Sequence, residues 1–273
     1  MTMLLFVNGK PVDSDRVVPN LFEEDRLSVF ESLRSYHGKI FRLGEHLNRL
    51  FESAKTVRLN LPKTKEVLEE ELIQSLRLSR QQDAFLRLAV DDQNSYIWVT
   101  NRSRPAWIYR KGVAIKTVAI RRNAVNAEPP EAKTSAFFNN VLLTLEEHDS
   151  EIFESIALDV NGYVTEATSW NIFMVRAQKL FTPQVGILHG VTRQFVIKCA
   201  KAEHFPTLES NLTRHDLWNA EEAFLTNTSG EIVPIRSLDG RKIGTQIPGI
   251  VTQKLMNRFQ KELKKELSHS RTY

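Results

Sequence analysis

Three short segments of this sequence carry residue types that can do chemistry. GVTRQFVI, from Gly190, sets a glycine and a threonine at the start of a helix. Orphan backbone N–H groups and the positive end of the helix dipole make such a place fit for a phosphate, with the Thr192 hydroxyl as an added donor. FLTNTSG, residues 224–230, is a turn rich in hydroxyl and amide donors. Lys133, in PPEAKTSAFF, lies between a rigid proline pair and an apolar helical face. A lysine entering an apolar cleft can have a lowered pKa and act as a nucleophilic amine. Each has a plainer alternative: a helix end bound to water, an ordinary turn, a solvated surface lysine.

Other chemistries find little support. There is no G-x-x-x-x-G-K-[ST] loop, no G-x-S-x-G elbow and no H-E-x-x-H pair. The seven histidines are scattered without ligand spacing, so no metal is expected. Asp91-Asp92 reads as a turn between strands rather than a cation site.

The elements that must position these residues alternate between strand and helix. LLFVNGKPV reads as a hairpin around Asn8-Gly9, and VFESLRSYHGKIF as a second one near His37-Gly38. Leu47, Leu50, Ala54 and Val57 predict a helix over 43–59. A second helix follows Pro62, with Val67, Leu68, Leu72 and Leu76 on one stripe. AFLRLAV and SYIWVT return to strand. NRSRPAWIYRKG reads as a polar boundary, which divides the chain into an N-terminal α+β domain, 1–110, and a C-terminal α/β domain, 111–273. In the second, IFESIALDV, TSWNIFMV, EAFLTN and EIVPI read as strands. Thr192 is expected to cap a helix from about Arg193, Thr213-x-x-Asp216 to form a capping box, and GIVTQKLMNRFQKELKKEL to be amphipathic. A ligand is expected at the seam between the two lobes.

Composition adds limits. The chain has 273 residues, 41% hydrophobic and 26% charged, as expected of a soluble globular protein. Thirty-seven basic against 33 acidic residues give a net charge of +4, too mild to imply nucleic acid. The one cysteine, Cys199, leaves no internal disulfide and fits a reducing cytoplasm. The opening MTMLLFV run is too short for a signal core or a membrane span, so no membrane partner is expected.

Taken in order, EHLNRL, EAKTS, NGYVTEATSWNIF, GILHGVTR and LTNTSGEIVPI resemble the class IV aminotransferases, the fold-type IV enzymes that use pyridoxal 5'-phosphate (PLP). That group includes branched-chain and D-amino-acid aminotransferases and aminodeoxychorismate lyases. The resemblance runs from about Val29 to Phe259 and implies a two-lobed α/β fold, D-amino-acid-aminotransferase-like, with the cofactor at the lobe interface. It implies that Lys133 is the catalytic lysine, forming the Schiff base with PLP and then shuttling the α-proton. Glu166 would pair with the pyridine nitrogen and keep it protonated. Arg49 would bind the phosphate, together with the N–H groups of Val191 and Thr192 and the donor Thr228. Asn227 and Ser229 would shape the substrate side, and Asn171 would be structural. A cytoplasmic homodimer is implied as well.

Two departures bear on substrate. The glycine-rich segment that relatives carry before the FES strand is missing or shortened. Phe138 stands where branched-chain aminotransferases place a tyrosine, and Phe30 where D-amino-acid aminotransferases do. The loop on which the latter carry carboxylate-binding Arg and His is reduced to DDQNS. Phe30, Phe138 and Ser229 are therefore the candidate substrate residues. The expected activity is amino-group transfer between a small amino acid or amine and a 2-oxo acid. The alternative is a lyase releasing pyruvate and 4-aminobenzoate.

Overall fold

In the computed structural model, residues 3–12, 27–101, 103–125, 127, 129–135, 138–145 and 151–269 are described. The chain forms two compact units. The first comprises Met1–Ser103, Ala132–Ala136 and Leu263–Tyr273, and the second Arg104–Glu131 and Phe137–Glu262.

The first unit begins with β1 (Met3–Val7) and β2 (Lys10–Val12), followed by β3 (Val29–Tyr36) and β4 (Lys39–Ile40). Both hairpins turn on a pair of left-handed residues, Asn8-Gly9 at φ 51° and 73° and His37-Gly38 at φ 51° and 77°. That backbone matches the twist of the flanking strands, and a glycine second in the pair adopts it without strain. Then come α1 (Leu43–Thr56), α2 (Lys65–Ser79), β5 (Phe85–Val90) and β6 (Ser95–Thr100). The sheet order is β2-β1-β6-β5-β3-β4. Leu47 and Leu50 of α1 and Leu68 and Leu72 of α2 are fully buried in its core. Each such leucine contributes about 1.5–3 kcal/mol by leaving water. Val67 belongs to no such stripe; it is largely exposed, while Thr64 caps α2 by accepting from its N–H.

The second unit runs α3 (Trp107–Lys111), β7 (Val113–Arg121), α4 (Phe138–Leu145), β8 (Glu154–Leu158), β9 (Val164–Ala167), β10 (Asn171–Arg176) and β11 (Lys179–Pro183). It continues with α5 (Val191–Ala202), β12 (Thr207–Ser210), α6 (Arg214–Trp218), β13 (Glu222–Asn227), β14 (Glu231–Leu238), β15 (Arg241–Lys242) and α7 (Ile250–His269), whose residues from Leu263 group with the first unit. Its sheet order is β12-β11-β10-β13-β14-β7-β8-β9, with β15 on β14. β7 runs parallel to both neighbours, and most other pairs are antiparallel. The capping box forms as expected, Thr213 and Asp216 each bonding the other's backbone N–H.

Three sequence expectations change. The segment read as a polar boundary contains the short helix α3, which buries Ile108 in the second core. Gly190, in extended conformation, is the N-cap of α5, so Thr192 is its second helical residue and caps nothing. Division falls after Ser103 rather than at 110, and Lys133 groups with the first unit instead of the second. Its neighbour Thr134 bridges to Val29 of β3, and this pairing draws a segment remote in sequence onto the first sheet.

Candidate active site

In the first unit the site is built on β3, α1 and the Lys133 segment. Strand alternation turns Phe30 and Glu31 to opposite faces. Glu31 is fully buried and meets α1, whose residues His46, Arg49 and Ser53 recur at helical spacing. Arg49 clamps this carboxylate with two N–H groups, Nε to Oε1 at 2.6 Å and a terminal nitrogen to Oε2 at 2.7 Å. His46 Nδ1 lies 2.8 Å from Oε2, and because a carboxylate only accepts, that nitrogen carries the proton. Burial alone would raise the Glu31 pKa, but the Arg49 charge and the hydrogen bonds from His46 and Arg49 outweigh it and hold it at about 2. Burial lowers the His46 pKa in spite of Glu31. The pair therefore fixes the guanidinium in one orientation.

Lys133 is fastened through its backbone. Its N–H donates to the Ser53 hydroxyl at 3.0 Å, and that hydroxyl donates to the Arg49 carbonyl at 2.8 Å. Its carbonyl accepts from Phe30 N–H at 3.0 Å, and Ser135 N–H donates to Ser28 O at 2.8 Å. The Lys133 ammonium then sits 4.3 Å from the centre of the Phe30 ring. Arg87 of β5 stacks on the same ring at 4.1 Å, and burial lowers its pKa. The first unit thus brings Arg49, Phe30 and Lys133 into one neighbourhood.

In the second unit the elements converge on Asn171, at the start of β10. Its side-chain amide donates to Glu166 Oε2 and to Leu188 O, both at 2.9 Å. Glu166, in β9 and nearly buried, accepts further from Leu188 N–H at 3.0 Å and from Arg122 at 2.9 Å. Arg122 also donates to Asn140 of α4, whose amide donates to Thr168 O. Glu166 is therefore a held carboxylate rather than a solvated strand end, and Asn171 is structural as expected.

Gly190, at the head of α5, is pressed against the same asparagine: a Cβ there would lie 2.2 Å from Asn171 Oδ1. The N–H groups of Val191, Thr192 and Arg193, and the Thr192 hydroxyl, have no hydrogen-bond acceptor among the described residues. Thr192 is nearly buried. Beside β10, Asn171 pairs in register with Thr226, which sets the turn 227–230 next to Trp170. Asn227 Oδ1 accepts from Gly230 N–H at 2.7 Å and from the Ser229 hydroxyl at 3.2 Å, and its amide donates to Ser169 O. Thr228 sits half-buried at the tip.

Sequence reasoning missed Glu31, His46, Arg87 and Arg122. The first two had a signal: His46 and Arg49 are three apart on a buried helical face, and a buried arginine needs an anion. Phe138 lies in α4, but its side chain is outside the described residues.

The first unit thus holds a tethered lysine over an aromatic ring beside an arginine locked by a buried glutamate, and the second a held carboxylate that shares Asn171 with the start of α5. Comparison with known proteins identifies the family. The sequence profile of Amino-transferase class IV matches residues 28–238. A putative branched-chain-amino-acid aminotransferase of Methanocaldococcus jannaschii is 35% identical, covering 94% of this chain and 96% of that one. The branched-chain-amino-acid aminotransferase of Escherichia coli is 31% identical, with 85% of this chain and 82% of that one covered. Among solved structures, the branched-chain aminotransferase of the thermophilic archaeon Thermoproteus uzoniensis with norvaline superposes with a TM-score of 0.85 at 29% identity, covering 96% of this chain and 95% of that one. Another structural neighbour, a branched-chain amino acid aminotransferase at a TM-score of 0.87, was solved with pyridoxamine 5'-phosphate. This chain belongs to the class IV aminotransferases. It is a PLP-dependent aminotransferase, and the relatives support transfer rather than the lyase alternative.

Proposed function

We propose that Lys133 is the catalytic amine of this aminotransferase, and that PLP is held by Arg49 in the first unit and by Glu166, Val191, Thr192, Asn227 and Thr228 in the second. The amino donor is an aliphatic amino acid, as the relatives' names suggest for their own substrates, and the acceptor is a 2-oxo acid. The observation that carries this reading is the attachment of Lys133. Backbone bonds to β3 and α1 fix its main chain, while its amine stands over the Phe30 ring.

When bound, PLP supplies the electrophilic carbonyl and the electron sink on which amino-group transfer depends. The protein's residues do the rest. Lys133 Nζ would hold the cofactor aldehyde and would carry the proton exchanged at the substrate Cα. Glu166, held by Arg122, Asn171 and Leu188 N–H, would pair with the ring nitrogen and favour its protonated form. The open N–H groups of α5 and the Thr192 hydroxyl fit the phosphate, where the helix dipole favours negative charge. Arg49, aligned by Glu31, would offer its guanidinium to a phosphate. Phe30 gives an apolar wall on the substrate side. Buried Cys199 supports a reducing, cytoplasmic setting, and a homodimer is proposed from the family, to be tested by sedimentation.

Borohydride reduction of the purified protein should fix the cofactor to the peptide bearing Lys133, and Lys133→Ala should abolish both the adduct and transfer. A reducible adduct on that peptide in Lys133→Ala would overturn the assignment.

A further inference from the structure

Helix α5 begins without a side-chain cap. Gly190 offers none, and the first-turn N–H groups stay open. A capping side chain would occupy those same donors, so a helix start that serves a phosphate has to be held from its buried side instead. The residue after Thr192 is placed to do this. Arg193 is fully buried, whereas the buried positions that follow on the helix, Phe195, Val196, Cys199 and Ala200, are apolar. One terminal nitrogen of its guanidinium donates to Pro183 O at 3.1 Å and to Glu209 Oε2 at 2.6 Å. Pro183 ends β11, and Glu209 lies in the parallel edge strand β12, opposite Thr182. The first turn of α5 is thereby pinned to two strands at once.

Packing and stability do not account for this arginine. Its Nε and its other terminal nitrogen are buried and have no acceptor among the described residues. Burying a guanidinium costs several kcal/mol in desolvation, and an aliphatic side chain in such a place is often equally stable or more so. A cation in the first turn of a helix also opposes the helix dipole. A dianion bound at the open N–H groups offsets both costs, because it meets a positive charge held where water is excluded.

We propose that Arg193 is a positioning residue for cofactor binding: through Pro183 O and Glu209 it fixes the uncapped start of α5, so that the N–H groups and the Thr192 hydroxyl meet the phosphate. This rests on the reading of that helix start as the phosphate site.

The test titrates the full-length apoprotein with PLP and with pyridoxal, which has the same ring and aldehyde but no phosphate. Wild type is compared with Arg193→Met, Arg193→Lys, Glu209→Ala and Thr192→Ala, and the quantity read is the ratio of the two dissociation constants. For Arg193→Met the PLP constant should rise about 10-fold, the worth of one charge-assisted hydrogen bond, while the pyridoxal constant stays within about 2-fold. Arg193→Lys should recover part of the loss. The Glu209 side chain is 43% exposed, so Glu209→Ala tests the same tie even where Arg193→Met does not fold, and it should weaken PLP selectively by a smaller factor. A merely structural role would weaken both ligands alike, and that result would overturn the proposal. So would an unchanged ratio in Glu209→Ala and in the folded Arg193 variants while Thr192→Ala lowers it. Failure of the underlying reading looks different: the ratio would then be unchanged in Thr192→Ala as well.

Discussion

Each unit of this protein contains a buried glutamate gripped by an arginine, yet the two pairs are built to opposite ends. Glu31 has no exposed surface; its partners are two side chains of one helix, Arg49 and His46. There the carboxylate serves the arginine, setting the angle of the guanidinium that we propose for the phosphate. Glu166 keeps some exposure and is held by a mixed set: a backbone N–H, an asparagine amide and Arg122. In that pair the arginine and the amide serve the carboxylate, which is the group we propose for the cofactor ring. An ion pair therefore does not reveal its purpose by its distance; what surrounds each member does.

The same substitution made at both sites should break the two pairs in different observables. Glu31→Gln leaves the Arg49 charge buried without its counter-ion, and removal of one partner of such a pair costs about 3–5 kcal/mol. The measurement is urea unfolding of the protein, and a loss below about 1 kcal/mol would mean that Arg49 is paired well without Glu31. Cofactor retention should weaken too, because the fork that orients Arg49 is gone.

Glu166→Gln should act chiefly on turnover. A neutral amide cannot keep a proton on the ring nitrogen, and loss of one preorganised electrostatic partner lowers kcat by about 10²–10³-fold. The cofactor should still bind through its phosphate contacts. Stability should fall by only about 1–2 kcal/mol, since one amide donor would face the N–H of Leu188 or the Asn171 amide. Unchanged turnover would refute the electron-sink role, and a stability loss matching that of Glu31→Gln would erase the contrast between the sites.

Much of this was legible in the sequence because the signals were local. Asn8-Gly9 declared its hairpin, Thr213 and Asp216 their capping box, and the order of EAKTS, VTEATS and GVTR the family. What escaped was tertiary. That Lys133 belongs with the first sheet depends on the Thr134–Val29 bridge, a pairing across more than a hundred residues that no local pattern announces. Arg104 lies in a polar stretch that read as connection and Arg122 in one given no reading, and only packing reveals their partners. The capping role given to Thr192 failed for a definable reason: Gly190, tight against Asn171, starts the helix two residues earlier than the threonine chemistry suggested.

Acid should separate the two carboxylates by a smaller margin. Glu31 has a folded pKa of about 2 against an ordinary 4.5, so the unfolded chain binds its proton first on acidification. Its stabilising contribution is complete above about pH 4.5 and is lost as the pH falls through about 2. His46, with its pKa also depressed, works in the same direction from a higher pH, because a neutral ring is preferred in the folded state. The stability gap between wild type and Glu31→Gln should therefore shrink by about 2 kcal/mol between about pH 5 and about pH 3. Urea midpoints collected over that interval read it directly. Two parallel curves would show that Glu31 takes up its proton in the folded protein as readily as in the unfolded chain. The Arg49–His46 cage would then not be what holds it ionised, and the contrast drawn between a carboxylate that serves an arginine and one that is served by it would lose its physical basis.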